Sequence, residues 1–182
     1  MAKHIKLIEK LICKTPVYKG GAVNFNADRV RMLNGKTATR EYIDHPGAVA
    51  VLPLLGGKVV LVRQYRHPIG EATWEIPAGK LHFGHDAPLN RAKLELQEET
   101  GYRTKRLKKL LSFWPCCAFS NELLHIYWTD DLEPGPPSPD EDEFLRVKAF
   151  PLKKALMMIR TGKIKDSKTI IALLAWQAMR RA

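Results

Sequence analysis

The sequence predicts an α/β fold, an α/β/α sandwich around a mixed β-sheet. The order of elements is the first observation behind this: apolar β-rich runs, one amphipathic helix, further strands and two closing helical segments, which places helices against both faces of a sheet. The second is composition. With 182 residues, 45% apolar and 27% charged, the chain suffices for one full hydrophobic core, is short for two, and is too apolar for general disorder. No internal repeat is visible.

The first forty residues mix short β-type stretches with the turns "YKGGAV" and "MLNGKT" and read as hairpin-forming strands. "AVAVLPLL" (Ala48 to Leu55) and "KVVLVRQYR" (Lys58 to Arg66) flank Gly56-Gly57, a strong hairpin signature. "TWEIPA" (Thr73 to Ala78) is a further short strand, ended by Pro77 and Gly79. Asp86 can cap a helix with Pro88 in its first turn and Gly101 at its close. "KKLLSFW" and "ELLHIYWT" are strands separated by the turn-like "PCCAFSN". "LEPGPPSPDEDE" (Leu132 to Glu143) is an exposed loop, "EFLRVKAF" a last strand, and "LKKALMMIRTG" and "DSKTIIALLAWQAMRR" two helices.

The formal net charge of +11, from 30 Lys+Arg against 19 Asp+Glu, favours anionic partners: nucleic acid, nucleotides or phosphosugars. The densest basic run, "RTKRLKK" (Arg103 to Lys109), reads as a solvated lead-in to a strand. Cys13, Cys116 and Cys117 lack any metal-ligand spacing and any disulfide framework, and read as small apolar fillers. No apolar run approaches the ~20 residues needed to cross a bilayer, and Met1 to Lys10 scatters charges where a signal peptide has an apolar stretch. A cytoplasmic protein without membrane association is expected.

Acid is concentrated in one place, "AKLELQEETGY" (Ala92 to Tyr102). At helical spacing, Leu89, Ala92 and Leu96 form a core face, and Glu95, Glu98 and Glu99 form the neighbouring face. Exposed like-charge pairs at i,i+4 cost about a few tenths of a kcal/mol each. A hard divalent cation such as Mg²⁺, held by one or two carboxylates together with substrate phosphates, would remove that repulsion. On spacing alone, a solvated acidic face accounts for the pattern equally well.

The longer stretch "GKLHFGHDAPLNRAKLELQEETGY" (Gly79 to Tyr102) resembles the Nudix box of hydrolases that cleave nucleoside diphosphates linked to another group. That box reads Gly, five residues, Glu, seven residues, Arg-Glu, an apolar residue, one residue, Glu-Glu, one residue, Gly, apolar. Gly79, Glu95, Leu96, Glu98, Glu99, Gly101 and Tyr102 match. His85 stands in place of the first Glu and Leu94 in place of Arg, with one extra residue between them near Ala87. Arg91, four residues before Glu95 and on the face of Glu98, is placed to supply part of the missing charge. "EYIDHPGAVAVLPL", "LVRQYRHPIGEATWEIPAGK", "FSNE" and "GKIKDSKTIIALL" are similar to the ADP-ribose pyrophosphatase and nucleoside-diphosphate-sugar hydrolase branch, over roughly Thr39 to Trp176.

The resemblance implies a Nudix domain over residues 41–182 and an N-terminal strand region, residues 1–40, that serves homodimerisation. It implies Mg²⁺, with Mn²⁺ as a substitute, on the Ala78 carbonyl, Glu95, Glu99 and Glu98, the last as a ligand or as a carboxylate behind the ligands. Arg40, Glu41 and Arg66 would meet the diphosphate or adjoining sugar, and Glu122 would accept hydrogen bonds from a sugar, although Ala118 replaces the family's Gly in that loop. Glu141 is the implied base, with Glu143 a ligand or alternate base; His82 and His85 read as solvated turn positions. The implied reaction is Mg²⁺-dependent hydrolysis of ADP-ribose or a nucleotide-sugar such as GDP-mannose to a nucleoside monophosphate and a sugar phosphate. A domain that binds nucleotide-sugars without turnover is the first alternative. An enzyme acting on RNA 5′ ends comes last, because the charge is dispersed and no aromatic stacking platform is evident.

Overall fold

The computed structural model describes residues 7–82, 87–138 and 144–180. It divides into two compact units, Met1–His45 with Cys116–Glu122, and Pro46–Pro115 with Leu123–Ala182.

The first unit is an antiparallel sheet of β1 (Lys10–Cys13), β2 (Pro16–Lys19), β3 (Asn24–Arg31) and β4 (Thr37–Asp44). Both β1 and β2 pair with β3, β1 along Arg29 to Arg31 and β2 along Asn24 to Asn26, so they follow one another on the same edge. The break falls at Thr15, whose N–H donates to the Asp28 carboxylate at 2.9 Å. Every residue of β1 and β2 is exposed, including Leu11, Ile12, Val17 and Tyr18. Loop Cys116–Glu122 is stitched to the end of β4: Asn121 accepts the His45 N–H and donates to Asp44, both at 2.7 Å.

The second unit is built on a seven-stranded sheet. Its strands are β5 (Ala48–Leu55), β6 (Lys58–Arg66), β7 (Glu71–Glu75), β8 (Ala78–Lys80), β10 (Lys108–Phe113), β11 (Leu124–Thr129) and β13 (Arg146–Pro151). A small separate ladder joins β9 (Tyr102–Arg103) to β12 (Glu133–Pro134). The order β10-β11-β5-β6-β13 contains one parallel pair, β11 with β5, and is otherwise antiparallel, hence mixed. Gly56 and Gly57, at φ 53° and 78°, form the tight β5–β6 hairpin, which needs two left-handed residues in succession.

Three helices complete the unit: α1 (Pro88–Thr100), α2 (Leu152–Arg160) and α3 (Ser167–Met179). Strand alternation shows how they are layered. Ala48, Ala50, Leu52 and Leu54 of β5 join a core with Ala155 and Met158 of α2 and Ala172 and Leu173 of α3. Val49 and Val51 point the other way, into a smaller cluster with Ala92 and Leu96 of α1, Leu81 and Tyr127. Both faces of β5 are therefore covered, and it reads as a continuous apolar run. This is the expected α/β/α sandwich.

Four expectations are corrected. The strand expected over Thr73 to Ala78 is two: β7 ends at Glu75 and β8 starts at Ala78. Pro77 has no N–H, and the Ile76 N–H goes to the Thr169 hydroxyl at 2.9 Å, so the chain leaves β6 and crosses to β5. Helix α1 has Ala87 at its N-cap, without a side-chain cap bond; the expected cap, Asp86, lies outside the described residues. Leu89 is exposed, so the core stripe of α1 begins at Ala92. Cys13 and Cys117 are exposed and Cys116 half-buried, because they sit on an outer strand and in a surface loop; they are not core fillers. Among the described residues, no helix is long and apolar enough to cross a membrane.

Candidate active site

Helix α1 does not carry its acid as a solvated face. Glu95 and Glu99, one turn apart, are 4% and 2% exposed, on the same stripe as Ala92 and Leu96, while Glu98 is half-buried beside them. Burying two carboxylates is costly unless positive charge compensates. Part of the compensation is Arg91, whose Nη2 lies 2.5 Å from Glu95 Oε1 and 3.6 Å from Glu98 Oε2. The position expected to lack a cation, Leu94, is exposed, and the guanidinium arrives instead from one turn before Glu95.

Gly79 makes this arrangement possible. A Cβ built there would lie 1.5 Å from Glu95 Oε1, so the carboxylate rests directly on the glycine α-carbon. Glu95 is thereby brought against the Ala78–Gly79 segment of β8, whose Ala78 carbonyl is the backbone oxygen expected at the site. Among the described residues, no three acidic, histidine or cysteine side chains form a metal cluster. The donor set consists of hard oxygens: two buried carboxylates, Glu98 at the margin, and a strand carbonyl. That chemistry suits Mg²⁺ or Mn²⁺.

A further buried acid lies at the end of β7. Glu75 accepts from Arg66 Nε at 2.9 Å and Nη2 at 2.6 Å, and from the Thr73 hydroxyl and Lys168 Nζ. Burial alone would raise its pKa, but the Arg66 hydrogen bonds and the charge and hydrogen bond of Lys168 outweigh it and hold it down to about 2. The Glu75 hydrogen bonds in turn push Arg66 up, with the charges of Glu75, Asp166 and Glu99 adding to them, which ties this cluster electrostatically to α1. A cavity of about 600 Å³ opens here, walled by Arg66, Ile69, Thr73, Glu75 and Asp166 among others.

Ala78, Glu95, Glu98, Glu99 and Arg66 therefore belong to one unit. Arg40, Glu41 and Glu122 belong to the other. There Arg40 is engaged by Glu9, with Nε 2.9 Å from Oε2 and Nη2 2.5 Å from Oε1; the hydrogen bonds raise Arg40 and lower Glu9. Glu41 is exposed, and the half-buried Glu122 donates its N–H to Ser120 Oγ. Glu141, Glu143 and His85 lie outside the described residues. Sequence reasoning did not single out Glu9, Glu75 or Lys168. For Glu75 a signal was available: an acid between Trp74 and Ile76 in a strand is unexpected unless cations meet it.

The NUDIX domain profile matches residues 44–173. The chain belongs to the NUDIX family. It is 38% identical to the ADP-ribose pyrophosphatase of Bacillus subtilis (strain 168), covering 92% of this chain and 91% of that protein. It is 41% identical to the methanol dehydrogenase activator of Bacillus methanolicus, covering 92% of each. A crystal structure of an ADP compounds hydrolase superposes with a TM-score of 0.85 over 99% of this chain and 97% of that one, at 17% identity, which shows the shared NUDIX fold. The matched residues include α1 with its buried acids, and hydrolases of this family generally use divalent metal ions.

Proposed function

We infer that this chain is a Mg²⁺-dependent pyrophosphatase that hydrolyses ADP-ribose or a nucleoside diphosphate sugar, GDP-mannose included, to a nucleoside monophosphate and a sugar phosphate. The observation that carries the reading is the buried pair Glu95 and Glu99, with Glu95 seated on Gly79 in a NUDIX chain. Similarity to a protein named for ADP-ribose hydrolysis supports the substrate class. Ala78, Glu95, Glu99 and Glu98 would hold Mg²⁺, with Mn²⁺ able to replace it. When bound, the ion supplies positive charge to the diphosphate oxygens and lowers the pKa of water. Arg66 offers guanidinium donors to the same oxygens, a geometry suited to phosphate. Glu141 takes the proton of the attacking water, with Glu143 as ligand or alternate base. Glu122, Arg40 and Glu41 hold the sugar and the adjoining diphosphate.

The exposed apolar residues Leu11, Ile12, Val17 and Tyr18 support a homodimer formed through the N-terminal strands. The class of substrate favours a cytoplasmic setting. The first test is inorganic phosphate release, with a coupled phosphatase, from ADP-ribose, GDP-mannose and UDP-glucose in Mg²⁺ and in Mn²⁺. Wild type is expected to turn over at least one of them, and Glu99→Gln to lose roughly a hundredfold or more.

A second reading rests on the Arg91–Glu95 ion pair, which already neutralises one of the box carboxylates. In it the domain binds nucleotide-sugars without turnover. Calorimetric binding of ADP-ribose by a wild type that releases no phosphate would select it.

A further inference from the structure

Glu75 is a buried carboxylate with no part in the hydrolysis just described, yet it grips the arginine that hydrolysis needs. Its two oxygens take Arg66 side-on, through Nε and Nη2. This uses two of the five guanidinium donors, leaving the three on the edge turned away from Glu75. Arg66 is 41% exposed and lines the 600 Å³ cavity, so those donors remain available to an anion. A free arginine loses considerable rotamer entropy when it binds phosphate; one already clamped loses less.

The guanidinium stays protonated in this pair, and the Glu75 carboxylate is shared with further donors. Lys168 bonds Glu75 Oε2 from the first turn of α3, with Thr73 donating to Oε1. Lys168 is itself steered by Asp166 Oδ1 at 2.9 Å. Asp166 Oδ2 caps α3 at the Thr169 N–H, also at 2.9 Å, where the positive helix end offsets its charge. The Thr169 hydroxyl then accepts the Ile76 N–H, next to the segment that carries Ala78. Residues 93 positions apart are joined in this way.

We propose that Glu75 is a positioning residue that aims the free edge of Arg66 at the substrate diphosphate, with Lys168 fixing the Glu75 carboxylate from α3. The proposal rests on the pyrophosphatase reading and adds to it a pair of residues that never touch substrate.

A double-mutant cycle tests it, using calorimetry with the non-hydrolysable α,β-methylene analogue of ADP-ribose in Mg²⁺ on the full chain. Glu75→Gln is expected to weaken analogue binding about tenfold, and to raise KM more than it lowers kcat, while Mn²⁺ affinity read by electron paramagnetic resonance stays at the wild-type value. Because Glu75 acts through Arg66, adding Glu75→Gln to Arg66→Ala should cost nothing further. Additive losses, or wild-type binding by Glu75→Gln, would overturn the proposal while leaving the hydrolase reading intact. Absence of analogue binding by wild type would remove both. Should Glu75→Gln fail to fold, Arg66→Lys carries the test: it keeps the charge but lacks the fork, so the same loss is expected, and full affinity would refute the positioning role.

Discussion

Against one face of the seven-stranded sheet, α2 and α3 pack a broad core through Leu52, Leu61, Ile126, Phe150, Met158 and Leu173. Against the other, α1 packs a small cluster around Val49, Val51 and Leu96 and buries Glu95 and Glu99 alongside it. The first face is mostly apolar, its polar exception being the buried cluster of Glu75, Lys168 and Thr169 at the start of α3. The second surrounds charge with just enough apolar contact to hold a helix in place. The larger apolar core and the buried acids of α1 thus lie on opposite sides of one strand, β5, whose alternate side chains feed both.

The contrast can be broken most forcefully from the apolar side. Leu61→Ala should destabilise folding by about 2–5 kcal/mol, read as a shift in the urea midpoint, with kcat per folded molecule unchanged. Glu99→Gln should do the reverse, abolishing hydrolysis while the metal-free thermal midpoint holds or rises, since a buried charge is removed. If both variants lost stability and activity together, the division between faces would not stand.

Gly79→Ala tests the seat of Glu95. The added methyl displaces the carboxylate, with an overpacking cost of about 1–3 kcal/mol and a fall in activity that extra Mg²⁺ does not restore. Arg91→Ala leaves Glu95 without its guanidinium and should cost about 1–3 kcal/mol without metal. In this variant the rise in thermal midpoint on adding Mg²⁺ should exceed that of wild type, because the ion replaces a lost cation.

Glu75 supplies the pH test. Its folded pKa is depressed to about 2 from 4.5, so its contribution to stability is fully present above the unfolded value and is lost as pH falls from about 5 towards 2. Urea midpoints across that range should fall more steeply for wild type than for Glu75→Gln. The smallest effect is expected at the surface: Lys105→Ala removes an exposed pair with Glu133 and should leave the midpoint unchanged.

Much of this was legible in the sequence. Gly56-Gly57 between two apolar runs specified its hairpin, Gly101 closed α1, and the two closing helices fell within the segments read as helical. Local signals of that kind act over a few residues, which is why they survive in the sequence alone. The depth of Glu95 and Glu99 was not legible, since helical spacing groups side chains on a face without saying what that face meets. Nor was the division of β7 from β8, because the Thr169 hydroxyl that takes the Ile76 N–H is remote in the chain. The Glu75 cluster escaped for the same reason: its partners arrive from β6 and α3, and only the fold brings them together.

The contact between Gly79 and Glu95 also constrains which sequences this chain can become. With Glu95 in place, even a methyl group at position 79 would overlap the carboxylate, which has to move for it to fit. A substitution at 79 fits without moving the carboxylate only together with a shorter residue at 95, and that change gives up the carboxylate's reach. In a pooled mutational library the two codons should behave as one inherited unit, purged together or retained together, although fifteen residues lie between them in the chain.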